Sequence, residues 1–398
     1  MQNNFINIVV FEFQNVNYAS RARKEAFSLA KEGFNVTLIG FKSRGKTEIK
    51  IVNNNFRIIQ FSSFSLNRFS GLSKLINVLV LNFKILFFFI KNGFDVYHLH
   101  DLKLFYPAIL IKFIKRKKLI YDAHELHVRK RPYSIRNRMF DQYDKFKERI
   151  LISNANAIIQ ASSKRADFFS TYYNTSKPHV IENHEIISTA SHTIKNIRTL
   201  SGLNDQDKII VFTGNISINS NQGIDKVILA LTFLDENIHF CILGNGSDKT
   251  ITYLNQLANK INVLSRVHFL LPVKSEEVVS TIHSADIGII PIYANSLNSE
   301  YSALNKLSQS LMAGLPIACS NYENLEHVIY ENPLAKIGES FNVLDPESIA
   351  TAVNKIFNSN SFNEMKINAR KLAVQKLNWD QEEKKLIKIY YETINDLQ

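Results

Sequence analysis

A chain of 398 residues is long for a single core and points to two domains. Its hydrophobic share of 45% and charged share of 21% are those of an ordinary globular protein, which excludes a disordered or collagen-like chain. Lys and Arg number 48 against 36 Asp and Glu, and the resulting +12 at pH 7 favours anionic partners without naming one.

Met1 to Val10 carries no basic stretch followed by a long apolar run, so no signal peptide is expected. Ile6–Phe13 reads as a first strand. Ser20–Glu32 reads as a helix with Ala22, Ala26, Leu29 and Ala30 on its apolar face and Gly33 at its end. Phe34–Ile39 and Phe56–Phe61 are further strands. Ile76–Ile90 is the membrane candidate, but it is shorter than the roughly 20 apolar residues a span needs. It also contains Asn77, Asn82 and Lys84. Lys74, Asn77, Lys84 and Lys91 share one helical stripe, which suits a core helix with one wet edge. A helix lying on a membrane surface is the other reading.

Asp95–Asp101 is a strand whose alternation is expected to leave His100 at the exposed carboxyl end, with His98 structural on the opposite face. Asp101–Ile114 reads as a helix, and Leu119–Glu125 as a strand delivering Asp122, His124 and Glu125. Arg136–Asn154 is a long charged helix. Ala157–Ala161, a helix and His179–Ile181 follow. Alternating strands and helices predict a parallel, doubly wound sheet. The basic segments Lys112–Lys118 and Arg129–Arg138 either meet a phosphate-rich surface or form a solvated face. They lack interleaved stacking aromatics and a recognised motif, so no nucleic-acid partner is expected.

Ile186–Asn204 is polar and weakly periodic and reads as a linker. Strand and helix patterns restart at Ile209 and run to about Phe357. Four stretches stand out: Lys208–Thr213 running into Gly214-Asn215 and Gln222-Gly223; Ile238–Leu243 running into Gly244-Asn245-Gly246; Ala285–Pro291; and Asn305-Lys306-Leu307 with Met312–Pro316. The apolar runs stop at Gly, Asn or Pro and open onto polar residues. That is the form of a buried parallel strand with a ligand-binding loop at its carboxyl end. Ser361–Gln398 is helical, with Trp379-Asp380 opening the last helix. Cys241 and Cys319 lie in apolar runs and read as buried free thiols. No Cys/His cluster has metal-ligand spacing, so no metal site is expected.

The order, spacing and wording of these segments, strongest over 208–345 and clear over 95–125, resemble the retaining glycosyltransferases of family 4, also called group 1. The resemblance implies an α/β architecture of the GT-B type: two Rossmann-like, doubly wound parallel-sheet domains facing a cleft. It implies an acceptor domain over 1–190, a linker over 191–207, a nucleotide-sugar donor domain over 208–375, and a final helix over 376–398 crossing back onto the first domain. The implied activity is transfer, with retention, of a sugar from a nucleoside-diphosphate sugar to a glycan or lipid-linked acceptor, in cell-surface polysaccharide or glycolipid synthesis. No cofactor beyond that co-substrate and no metal are implied. The implied location is cytoplasmic, with peripheral contact at the inner face of an anionic membrane.

Carried over by motif, the catalytic set is His100, Asp101, His124 and Glu125, the last two orienting acceptor or stabilising a loop. The donor set is Gly214, Asn215, Gly244, Gly246, Val273, Glu300, Asn305, Lys306 and Gln309. The chain departs from the family pattern in five places. The first loop, Gln14–Tyr18, has no glycine. Asn215 and Gln222 stand where the family has cations that hold the diphosphate. Gln309 and Tyr301 stand where it has two glutamates, with Glu300 beside the latter. Lys306, at a helix start, is the expected replacement for the lost cations, because charge-assisted contacts to phosphate are the strong ones. These departures keep two other readings open: a nucleotide-sugar 2-epimerase-like enzyme on the same fold, and a degenerate, non-catalytic partner of another transferase.

Overall fold

The computed structural model describes residues 6–42, 46–62, 72–123, 125–127, 135–187, 196–217, 222–293, 297–301, 305–332, 334 and 336–395. The chain forms two compact units: residues 1–182 with 382–398, and residues 183–381. The division after Glu182 comes eight residues before the boundary expected at 190.

The first unit is built on an eight-stranded sheet of order β3-β4-β2-β1-β5-β6-β7-β8. Its strands are β1 Asn7–Phe11, β2 Asn35–Lys42, β3 Glu48–Asn53, β4 Phe56–Ser62, β5 Val96–His100, β6 Lys118–Asp122, β7 Ala157–Gln160 and β8 His179–Val180. Every pairing is parallel except that of β3 with β4. β5 and β6 are buried at every residue, the polar groups His98, His100, Lys118 and Asp122 included. The edge strand β3 is exposed throughout and was missed by the sequence reading, which looks for buried residues. The helices are α1 Ser20–Lys31, α2 Leu72–Lys91, α3 Phe105–Lys115, α4 Ile135–Asn154 and α5 Ser163–Tyr173.

The second unit carries a six-stranded, wholly parallel sheet of order β11-β10-β9-β12-β13-β14. In chain order its elements are α6 Ile197–Ser201, β9 Lys208–Thr213, α7 Ile224–Ala230, β10 Ile238–Leu243, α8 Asp248–Lys260, β11 Val267–Leu270, α9 Val278–Ile282 and β12 Ile287–Ile290. There follow α10 Leu297–Glu300, α11 Asn305–Met312, β13 Ile317–Ser320, α12 Glu323–Tyr330, β14 Gly338–Phe341, α13 Pro346–Phe357 and α14 Phe362–Gln375. α6 lies inside the stretch expected as linker. Asn196 caps it, accepting from Thr199 N at 3.0 Å, and Ile197 is buried in the core of the unit. Arg198 ties it to Asp286 at 3.2 Å, so these residues belong to the unit rather than to a tether.

The last helix, α15 Trp379–Asn395, begins in the second unit and continues in the first. Its residue Tyr390 is fully buried within the first unit and shares a 2.7 Å hydrogen bond with His98 Nδ1. The final helix therefore joins the first unit, as expected. In each sheet one strand sits where the order reverses: β1 between β2 and β5, and β9 between β10 and β12. Such switch points open ligand crevices at the carboxyl ends of the strands. Among the described residues no helix is long and apolar enough to cross a membrane.

Candidate functional site

In the second unit the loops after β9 and β10 close on each other. Gly214 N donates to Leu243 O at 3.0 Å, and Ile216 N to Asn245 O at 2.8 Å. A Cβ on Gly244 would lie 1.7 Å from Gly214 O, so only glycine permits this approach. Gly214 itself has φ 121, a backbone open to glycine. Gly246 pairs with Ile216 in a bridge, which holds both loops in one frame.

Lys306, on the first turn of α11, reaches into this frame. A Cβ on Gly214 would meet its Cε at 3.1 Å and its Nζ at 3.2 Å, and Nζ sits 5.1 Å from the centroid of the Phe212 ring. Burial pushes the ammonium down to about 8. Below Lys306 on the same helix, Gln309 accepts from Thr213 Oγ1 at 3.0 Å and donates to Glu185 Oε1 at 3.2 Å. Glu185 N in turn donates to Ser308 Oγ at 2.8 Å, and Asn305 accepts from Asn183 at 3.0 Å.

Of the expected donor residues, the structure thus gathers Gly214, Gly244, Gly246, Lys306, Gln309 and Asn305. Asn215 is exposed on the same loop. Val273 follows β11, one strand beyond Gly244, and Glu300 lies on α10, just upstream of α11. Glu185 was missed: it supplies a carboxylate beside Gln309 from a stretch distant in sequence, and no local motif announces it. Gln222 pairs with Ile292 in an isolated bridge, and Gly223 N donates to Pro291 O at 2.7 Å. That is a backbone role for the place where the family has a cation.

In the first unit, β5 and β6 deliver charged groups to one buried cluster. His98 and His100, two residues apart, share a strand face and stack with ring centroids 4.8 Å apart. This corrects the expectation that His98 faces the opposite way. His100 is 0% exposed, which corrects its expected exposure at the strand end. Its Nε2 is 3.2 Å from Glu25 Oε2, and its Nδ1 is 3.5 Å from Asp122 Oδ2 and 3.9 Å from Glu12 Oε2. Arg21 Nε donates to Asp122 Oδ2 at 2.7 Å and lies 3.1 Å from Glu25; its Nη1 donates to Ile181 O at 2.7 Å.

Burial opposes the charge on His100, but Glu25 and Asp122 outweigh it and raise its pKa to about 9. Burial likewise opposes the Glu25 carboxylate, and the Arg21 guanidinium holds it below its ordinary value. Glu25, His98, His100 and Asp122 each bring one ligand atom within 4.8 Å of the others, a donor set that a metal ion could use. These ligands come from α1, β5 and β6, so motif spacing could not reveal them. The guanidinium of Arg21 already bonds both carboxylates, so a cation entering here would displace it.

Asp101, immediately after His100, takes φ 61 and is buried; its N donates to Asp122 O at 3.1 Å. Positive φ outside glycine is uncommon and concentrates at functional loops. His127 Nε2 approaches Asp101 at 3.9 Å. Glu125 is exposed, and buried Arg165, another residue missed in the sequence, feels the charges of both Glu125 and Asp101. His124 lies outside the described residues.

The family model for Glycosyl transferases group 1 matches residues 193–372, and that for Glycosyltransferase Family 4 matches residues 21–184. An uncharacterized glycosyltransferase of Methanocaldococcus jannaschii is 26% identical over 197 residues, 49% of this chain and about half, 47%, of its own length. A second from the same organism is 23% identical over 368 residues, 87% of each chain. Among solved structures, sucrose-phosphate synthase from Thermosynechococcus elongatus superposes with a TM-score of 0.80 at 14% identity, covering 98% of this chain and 100% of that one. Anabaena HepE in complex with UDP and glucose gives a TM-score of 0.70 at 13% identity, covering 97% and 99%. The structural likenesses establish the GT-B fold with its two parallel-sheet α/β domains, and the two family models, side by side over most of the sequence, establish that the chain belongs to the group 1, family 4 glycosyltransferases.

Proposed function

We propose that this protein is a retaining glycosyltransferase that uses a nucleoside-diphosphate sugar and passes the sugar to a glycan or lipid-linked acceptor in cell-surface polysaccharide or glycolipid synthesis, without a metal. The observation that carries the reading is the seat of Lys306. A half-buried ammonium on the first turn of a helix stands over Phe212 and against Gly214, where bare backbone lines the loop. An ammonium and a helix start together favour a phosphate group. UDP bound by HepE is the same class of ligand on the same fold.

In this reading the second unit holds the donor. Lys306 and the backbone of the Gly214 and Gly244 loops take the diphosphate, Asn215 and Asn305 border it, and Gln309 with Glu185 faces the ribose. Val273 borders the base, and Glu300 the sugar. Lys306 stabilises the charge that develops on the leaving diphosphate as the acceptor hydroxyl attacks from the same face. The first unit receives the acceptor through Asp101, His124 and Glu125. His100, being buried, acts as a positioning residue that fixes the end of β5 beneath Asp101.

Lys306→Ala tests the donor side. Loss of one charge-assisted contact is expected to cost about 1.5–3 kcal/mol of diphosphate binding, while affinity for the free nucleoside stays level. Titration calorimetry with UDP and uridine, and with the guanosine and adenosine pairs, reads both. The parent's diphosphate affinity should also decline as pH rises past about 8, where Lys306 loses its proton, and the variant should lack that decline. Equal diphosphate affinity in parent and variant removes Lys306 from the site and the reading with it.

A further inference from the structure

α2 was expected to be a core helix with a polar outer edge. Its buried side conforms, with Leu81, Ile85 and Phe89 inside. Its outer edge does not. The outward stripe is Val80, Phe83, Lys84, Phe87, Ile90 and Lys91, at helical spacing, and Phe83 and Phe87 are each 68% exposed. A solvated helix face is ordinarily polar, so two adjacent bare phenylalanines call for a partner.

The neighbouring helix repeats the pattern. α3 turns Tyr106, Leu110, Phe113 and Ile114 outward, Phe113 at 64% exposure, and exposed Lys115 and Arg116 follow. α2 packs beside α3 and α3 beside α4. The Tyr106 and Tyr143 hydroxyls are hydrogen-bonded to each other across the α3–α4 boundary, which joins the stripe of α3 to exposed Phe140 and Phe146 on α4. α2 and α3, packed side by side, thus both turn apolar side chains outward, while α4 mixes its exposed aromatics with Asp141 and Asp144.

Charge decides what covers it. Within Leu72–Lys91 and Phe105–Lys115 there is no Asp or Glu, while Lys84, Lys91 and Lys115 stand among or beside the aromatic residues. Two copies of such a face would set cation against cation. A surface that is anionic at the level of the ammonium groups and apolar beneath them suits both features, and that is a bilayer with acidic headgroups.

We propose that the outer face of α2 and α3 is a membrane-docking surface, on which Phe83, Phe87 and Phe113 enter the acyl boundary while Lys84, Lys91 and Lys115 meet lipid phosphates. The chain then lies on one leaflet without crossing it. The inference deepens the proposed acceptor class, since a lipid-linked acceptor would lie in the same leaflet. Its test reads binding without turnover, so the two readings can fail separately.

The full chain is sedimented with phosphatidylcholine vesicles, with and without phosphatidylglycerol, across a salt series. The parent should bind vesicles containing phosphatidylglycerol at low salt and keep a measurable bound fraction at high salt, because inserted side chains are not screened. Phe83→Glu/Phe87→Glu/Phe113→Glu should bind at least about tenfold less, with an unchanged melting temperature, since exposed positions tolerate change. Lys84→Glu/Lys91→Glu/Lys115→Glu should remove the preference for the acidic lipid. A parent that ignores both vesicle types, or a phenylalanine variant that binds as well as the parent, overturns the proposal. So does a parent that is dimeric in solution and becomes monomeric in the phenylalanine variant, because a second copy would then be the occupant.

Discussion

Arg21→Met is expected to destabilise the first unit by on the order of 3–5 kcal/mol, the usual loss when one partner of a buried ion pair is removed. Arg21 is buried and bonds Asp122 at 2.7 Å, with Glu25 at 3.1 Å. Methionine fills much of the volume but leaves two buried carboxylates facing each other with only His100 to balance them. The variant also drops the Nη1 bond to Ile181 O, at the end of the sheet where the first unit's main segment finishes. Urea unfolding, followed by a probe placed in the first unit, separates its transition from that of the second, as two units need not unfold together. Adding Asp122→Asn to Arg21→Met should recover part of the loss, because it removes one of the uncompensated charges. A loss below about 1 kcal/mol, the scale of exposed pairs, would show that the cluster is wetter and looser than its geometry.

The fold was legible in the sequence because parallel strands buried on both faces write themselves as apolar runs. β5, β9, β10 and β12 all begin and end within a residue or two of the expected places, and β6 begins within one residue of its expected start but ends three residues earlier. β3 was not, since nothing in it is buried. α6 was not, since five residues capped by polar Asn196 and Gly202 look like a linker until Ile197 is seen in the core.

The candidate site divides along the same line. Gly214, Gly244 and Lys306 are found by motif because backbone approach and a helix start are local features. Glu185, Arg21, Glu25 and Arg165 act through partners distant in sequence, so no local pattern carries them. The error over His98 and His100 had another source. Strand alternation puts residues two apart on the same face, and an end position does not by itself guarantee solvent when a charged helix such as α1 covers it.

The burial of His100 reverses what its replacement should do. At an exposed strand end, His100→Gln would leave stability unchanged. In the cluster it removes a cation held among Glu25, Asp122 and Glu12, beside Arg21 and stacked on His98, whose own ring meets Tyr390. Its pKa, raised from the ordinary 6.5 to about 9, makes the protonated form part of the fold. A group whose pKa is raised on folding stabilises fully below its unfolded value and stops doing so as pH climbs through its folded value. The contribution of His100 should therefore be complete below about pH 6.5 and fade up to about pH 9, and a shift of that size corresponds to on the order of 3 kcal/mol. Glu25 works in the opposite sense. Its carboxyl is held below its ordinary value, so its contribution is present above about 4.5 and is lost as acid protonates it. The first unit should be most stable between these limits, near pH 5–6.5. Urea midpoints of the parent and His100→Gln, measured from pH 4 to pH 10, decide the matter. The variant should be weaker at pH 6, should converge on the parent by pH 10, and should lack the parent's alkaline decline. Parallel curves across the whole range would mean that His100 is neutral in the folded protein and that Arg21 alone balances the three carboxylates.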